Sequence, residues 1–247
     1  NLDSLVQTFR TNKKHNPTFD SDGKFSALLS WQISGFKGLD PAPQRQKAVS
    51  IKVLKAMQDL ANTPAEEAAA DLAMAAFFVA CRSCEYIQVK GLRRTKPIRV
   101  GDVQFRQGKI IVPHDSPELH LAETVSVIFR DQKNRSKYQT RTAWATSDPR
   151  ANPVIAWAKV VRRVRATTRC KESTEVYHFS SESSESKNPD TVESELMITQ
   201  LRAAVAHLGE SALGYSPADI GTHSIRSGAA MALVLSGHAA WRIMLAG

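Results

Sequence analysis

The sequence predicts a mainly helical chain with a small antiparallel β-sheet, an α+β fold, on three observations. Apolar residues recur at helical spacing in the stretches before residue 81 and after residue 152. Between them the period changes to two, in IRVGDVQF, KIIV and TVSVIF. The balance of 42% hydrophobic and 23% charged residues over 247 positions is that of a globular chain with a real core, which argues against a disordered, collagenous or coiled-coil chain. That length allows one large domain or one and a fraction.

The elements follow in order. Residues 1–43 are polar and punctuated (NKKHNPTFDSDGK), with the apolar run FSALLSWQISGF and then GLDPAP, which reads as a linker. They are expected to be the end of an N-terminal region ahead of a domain over 44–247. From Gln44 onward Val49, Val53, Met57 and Leu60 recur at helical spacing, and Thr63-Pro64 ends that pattern. A second, almost wholly apolar helix is predicted from Glu66 to Cys81 and should be buried. IRVGDVQF, the turn RQG and KIIV form strands, as does TVSVIF, where Val125, Val127 and Phe129 alternate with Thr124, Ser126 and Arg130. Asn152 caps, and Pro153 opens, the helix VIAWAKVVRRVR. VYHF is a candidate short strand, and SSESSESKNPD a Ser/Glu-rich loop. Asp190 and Glu193 read as a capping box for the helix in TVESELMITQLRAAVAHLG. THSIRSGAAMALVLSG makes the last helix, and no internal repeat interrupts the series.

Charge is segregated. The chain has 33 Lys and Arg against 24 Asp and Glu, a net +9, yet residues 130–171 alone hold twelve basic residues and two acids, Asp131 and Asp148. Residues 90–109 add seven basic residues against Asp102, whereas 172–195 has seven acids against Lys187. Such segregation suits a face for a polyanion, because neutralising phosphates releases counterions. The competing reading is a solvated helix face, as in VVRRVRATTR. No run of about 18 apolar residues exists to span a membrane, and the start NLDSLVQTFRTNKKH lacks the apolar stretch of a signal peptide. Three cysteines are too few and odd for a disulfide framework, so a reducing compartment is expected, nuclear or cytoplasmic and not secreted. Cys81 and Cys84 have the spacing of half a zinc site that Cys170 and His178 would nominally complete. With no second pair at finger-like spacing, buried small cysteines are the better reading and no metal is expected. GxxxxGK[ST], GxGxxG, GxSxG and HExxH are all absent, which leaves no sign of a nucleotide cofactor or of a hydrolase elbow.

Three segments stand out. Arg82 and Glu85, three apart in ACRSCE, close an otherwise apolar helix, and a buried arginine needs partners. Lys133 falls at the tip of the turn after VSVIFRDQ. His223 and Arg226 lie three apart on one helix face, opposite the stripe Ile225, Ala229 and Leu233. In this order, over residues 44–247, they resemble the catalytic domain of tyrosine recombinases, the family of phage-type integrases. GTHSIRSGAAMALVLSG is most similar to the Crypton and DIRS kinds of eukaryotic mobile elements.

The resemblance implies site-specific DNA cleavage and rejoining through a 3′-phosphotyrosyl intermediate. It implies duplex DNA as partner, self-association on it as dimer or tetramer, and no cofactor, since the covalent bond conserves the energy. Arg82 and Arg226 would bind the non-bridging oxygens, which planar guanidiniums serve better than an ammonium does. Lys133 would protonate the leaving 5′ oxygen, with Lys137 the competing candidate, and His223 would assist proton transfer near the attacking hydroxyl. Glu85 would fix an arginine or the turn. Arg93, Arg94, Arg130, Arg135, Lys137 and Arg141 would contact DNA. Taken singly each residue has an ordinary alternative: a helix-end ion pair for Arg82, a solubilising hairpin tip for Lys133, a cap or core histidine for His223, and pairing with Glu85 or Asp219 for Arg226. The family pattern continues past Arg226 with a histidine or tryptophan and then the nucleophilic tyrosine, both expected beyond Gly247. Tyr86, Tyr138, Tyr177 and Tyr215 precede His223 and fit no family role, and His238 reads as a loop residue with Trp241 a packing one. Rival readings are a domesticated, non-catalytic DNA-binding protein and a relative of type IB topoisomerases.

Overall fold

The alanine-rich helix Pro64–Phe78 forms the centre of the computed structural model, which describes residues 30, 46–91, 95–132, 137–167, 169–180 and 189–238. The chain divides into two units, Asn1–Gln44 and Arg45–Gly247, and all elements below belong to the second. They are α1 (Ile51–Leu60), α2 (Pro64–Phe78), the single turn α3 (Ser83–Tyr86), β1 (Val103–Gln107), β2 (Ile110–Val112), β3 (Thr124–Phe129), β4 (Gln139–Trp144), α4 (Pro153–Arg165), β5 (His178–Phe179), β6 (Asp190–Thr191), α5 (Ser194–Leu208), the turn α6 (Glu210–Leu213) and α7 (His223–Leu235). The described residues are thus mainly helical with a small antiparallel sheet, as the sequence predicts.

Helix α2 touches α1, α4, α5 and α7. Its small side chains make this possible: Ala68, Ala69, Ala70, Ala73, Ala75 and Ala76 are all buried and let neighbouring helices approach from several sides. Larger groups fill the gaps between layers. Leu54, Met57, Leu72, Met74 and Trp157 are fully buried, each contributing on the order of 1.5–3 kcal/mol. The sheet order is β2-β1-β3-β4, with Val103 opposite Val127 and Val127 opposite Arg141.

Local signals account for several boundaries. Thr63 Oγ1 accepts from Glu66 N at 3.2 Å while Glu66 Oε2 accepts from Thr63 N at 3.1 Å, a capping box followed by a first-turn proline. Thr63-Pro64 therefore opens α2 as much as it closes α1. Asn152 Oδ1 caps α4 through Val154 N at 2.9 Å and Ile155 N at 3.2 Å.

Other expectations are corrected. Helix α1 begins at Ile51, and residues 46–50 before it belong to no helix or strand; Val49 is buried outside the helix, its N–H donating to Ser224 O at 3.2 Å. Gly228 of α7 lies so close above that a Cβ there would stand 2.1 Å from the Val49 carbonyl. Helix α2 ends at Phe78, short of Cys81. The Asp190/Glu193 capping box does not form: Asp190 belongs to β6, paired with Phe179, and Glu193 makes no side-chain cap bond. Strand β3 is buried on both faces, because Thr124 and Ser126 sit inside, Ser126 Oγ 2.7 Å from Thr142 Oγ1 of β4. Strand β4, whose QTRTAW carries an arginine inside, was not among the predicted strands. Lys133, Arg93, Arg94, Arg135, Trp241 and most of the Ser/Glu-rich loop lie outside the described residues.

Candidate phosphate-binding site

The end of α2 is a Schellman turn with an unusual occupant. Cys81 N donates to Ala76 O at 3.0 Å and Ala80 N to Phe77 O at 3.1 Å, the pair of bonds that closes a helix through a left-handed residue. That residue is Ala80, with φ +48°, where glycine is the usual choice because a Cβ costs on the order of 1 kcal/mol there. The turn redirects the chain, so that Arg82 and α3 leave at an angle instead of continuing the helix.

Two arginines from distant elements close on this turn. Arg226, in the first turn of α7, donates from Nη1 to Ala80 O at 2.7 Å. Arg141, on β4, donates from Nη1 to Val79 O at 2.7 Å and to Ala80 O at 3.1 Å, and its guanidinium lies 4.6 Å from the Phe129 ring centroid. Carbonyls at a helix C-terminus carry the negative end of the macrodipole, which is where cations are favoured.

Arg82 is held from the other side. Its Nη1 donates to Glu85 Oε1 at 3.1 Å and to Gln132 Oε1 at 3.0 Å, and its own N–H donates to Glu85 Oε2 at 2.7 Å. Glu85 is 1% exposed, so one buried carboxylate fixes both ends of Arg82. Gln132, also buried, passes its amide on to Gln139 Oε1 at 2.9 Å and so ties Arg82 to the ends of β3 and β4. His223 is exposed at the first position of α7, one turn before Arg226, and its backbone N–H donates to Gln46 Oε1 at 3.1 Å.

The electrostatics follow from crowding. Burial first, and then the Arg82 charge, bring Arg226 down to about 10, with Glu85 working the other way and Arg141 adding to the fall. Burial also lowers Arg141. The Cys81 thiol, at the same turn, is pushed well up by burial and by Glu85, which makes it an inert structural cysteine. Like charges gathered in a half-buried place are the arrangement that an oxyanion with several oxygens stabilises.

The structure thus brings Arg82, Glu85 and Arg226 together, with His223 on the same helix turn. Of the expected DNA contacts, Lys137 is exposed, Arg130 donates from Nε to the buried Asp102 at 2.6 Å, and Arg141 turns inward as described. Gln132 and Ala80 are parts of the site that the sequence did not single out. Gln132 immediately precedes Lys133, the only local hint; nothing about an alanine signals a left-handed turn. Among the described residues no group of three or more His, Cys, Asp or Glu is arranged to hold a metal ion, and no described helix is long and apolar enough to cross a membrane.

No protein-family model matches the chain, and no curated protein matches it. Among solved structures, a Flpe–Holliday junction complex is similar to it at 12% identity, with a TM-score of 0.42, over 96% of this chain and 48% of that one. The chain spans about half the length of that structure's chain.

Proposed function

We propose that residues 44–247 form the phosphodiester-handling domain of a DNA strand-cleaving and rejoining enzyme of the tyrosine recombinase type. The observation that carries this reading is the convergence of Arg82 and Arg226, far apart in sequence, on one helix-end turn: Arg226 binds the Ala80 carbonyl at 2.7 Å, two residues from Arg82. The order of the sequence motifs supports it further.

In this reading Arg82 and Arg226 bind the non-bridging oxygens of the scissile phosphate and stabilise the charge that builds there during in-line attack. Glu85 fixes the Arg82 fork. His223, at the exposed start of α7, moves the proton of the attacking hydroxyl, and Lys133 protonates the leaving 5′ oxygen. The nucleophile is a tyrosine other than Tyr86, Tyr138, Tyr177 and Tyr215, and the protein works on duplex DNA as a dimer or tetramer without metal or nucleotide. The finer assignment, to mobile elements of the Crypton or DIRS kind, rests on GTHSIRSGAAMALVLSG alone.

The test is a nicked suicide substrate incubated with the full-length protein. A covalent 3′-phosphotyrosyl adduct is expected, reduced at least a hundredfold in Arg226→Met. Intact DNA binding with no adduct would leave a non-catalytic DNA-binding protein, and supercoil relaxation by a monomer would favour the topoisomerase relative.

A further inference from the structure

The contacts of Arg141 in the cluster are with backbone carbonyls and an aromatic ring. Its Nη1 spans two successive carbonyls, Val79 O and Ala80 O, its guanidinium lies against Phe129, and its Nε is buried with no hydrogen-bond partner among the described residues. A side chain that accepts burial with one donor unsatisfied is held there by its other contacts, since the cost of such a donor is substantial. Those contacts fall on a single turn, whose central residue, Ala80, adopts a left-handed conformation without being glycine. A different element, β4, thereby holds the turn through which the chain leaves α2 just before Arg82.

We infer that Arg141 is a positioning residue: it clamps the left-handed Ala80 turn and so sets the separation of Arg82 from Arg226, and it is not itself a phosphate contact. The inference rests on the phosphate-binding reading of Arg82 and Arg226. It predicts an unusual form of rescue. Glycine adopts the left-handed conformation without a Cβ penalty, so a glycine at position 80 needs the clamp less.

The experiment uses Arg141→Met, Arg141→Lys, Ala80→Gly and the Ala80→Gly/Arg141→Met double variant in the full chain, with two readouts. Amide hydrogen exchange at Ala80 and Cys81 reports the turn directly, because these N–H groups make its two closing bonds. Affinity for a short DNA duplex over a series of salt concentrations reports the site. Arg141→Met should speed exchange at Cys81 about tenfold or more and weaken DNA binding comparably, with the salt slope unchanged. Arg141→Lys, which keeps charge but loses the fork, should behave alike to a smaller degree, and serves if the methionine variant does not fold. Ala80→Gly alone should be near neutral, and the double variant should recover most of both losses. Unchanged exchange together with a salt slope reduced by about one, or failure of Ala80→Gly to rescue, would overturn the inference in favour of a direct phosphate contact. A wild-type chain that binds no DNA would remove the recombinase reading, while the exchange series would still decide the clamp.

Discussion

Two groups of arginines in this molecule, one along a single helix and one gathered from three distant segments, differ in how many carboxylates they meet. On α4, Arg163 pairs with Asp71, a buried acid on α2 that Lys159 also approaches at 3.6 Å. Arg165 pairs with Glu172, and Arg162 donates to Pro117 O at 2.6 Å. At the end of α2, by contrast, Arg141 and Arg226 donate to backbone carbonyls, and the carboxylate that bears on the group is Glu85. An arginine with a carboxylate of its own is neutral at a distance and serves as a strut, whereas Arg82, Arg141 and Arg226 share Glu85, so the group keeps a net positive charge. Among the described residues the +10 run of 130–171 therefore divides: Arg130, Arg163 and Arg165 have carboxylates of their own, whereas Arg141 meets carbonyls at the end of α2.

This contrast can be broken by substitution. The largest effect is expected for Arg226→Met, which should lower DNA affinity by about 1.5–3 kcal/mol, the worth of a hydrogen bond to a charged group, with the salt slope reduced by about one and little change in thermal stability. A loss of stability without loss of affinity would show that Arg226 is a strut like those on α4. Arg163→Met should do the reverse, costing about 1–3 kcal/mol of stability because Asp71 is left buried while DNA binding and its salt slope stay as in the wild type. Adding Asp71→Leu should return most of that stability, as removal of a whole buried pair commonly does. Equal loss of DNA affinity in Arg163→Met would erase the distinction.

The smallest effect concerns pH. Arg226 is brought down to about 10 in the folded chain by burial and by Arg82, below its unfolded value, so above about pH 10 the unfolded chain holds the extra proton and stability rises with pH. The buried charge thus destabilises the fold below pH 10. Measured against Arg226→Met, which lacks the group, the wild type should gain up to about 1 kcal/mol on going above pH 10 after allowance for solvent screening. A constant difference between the two would contradict the crowding of Arg226 by burial and Arg82.

The fold class was legible because its signals are local: the spacing of Val53 and Met57, the cap at Asn152, the alternation through Val125, Val127 and Phe129. The errors came where tertiary contacts overrode those signals. Asp190 offered a cap but found a strand partner in Phe179. Val49 matched the helical period yet lies before the helix, its carbonyl against Gly228. Thr124 and Ser126 alternate as a polar face would, but satisfy their hydroxyls or pack inside.

The sequence by itself determined the α+β class, most helix starts, and the spacing that places Glu85 against Arg82 and His223 one turn from Arg226, because those relations are set within one helical turn. Only the tertiary structure decided which arginines gather, which are neutralised, and that Ala80 turns left-handed. A guanidinium takes its acceptor from whatever chain folds beside it, and Arg141 and Arg226 find theirs at the end of a helix from which neither is separated by less than a whole element.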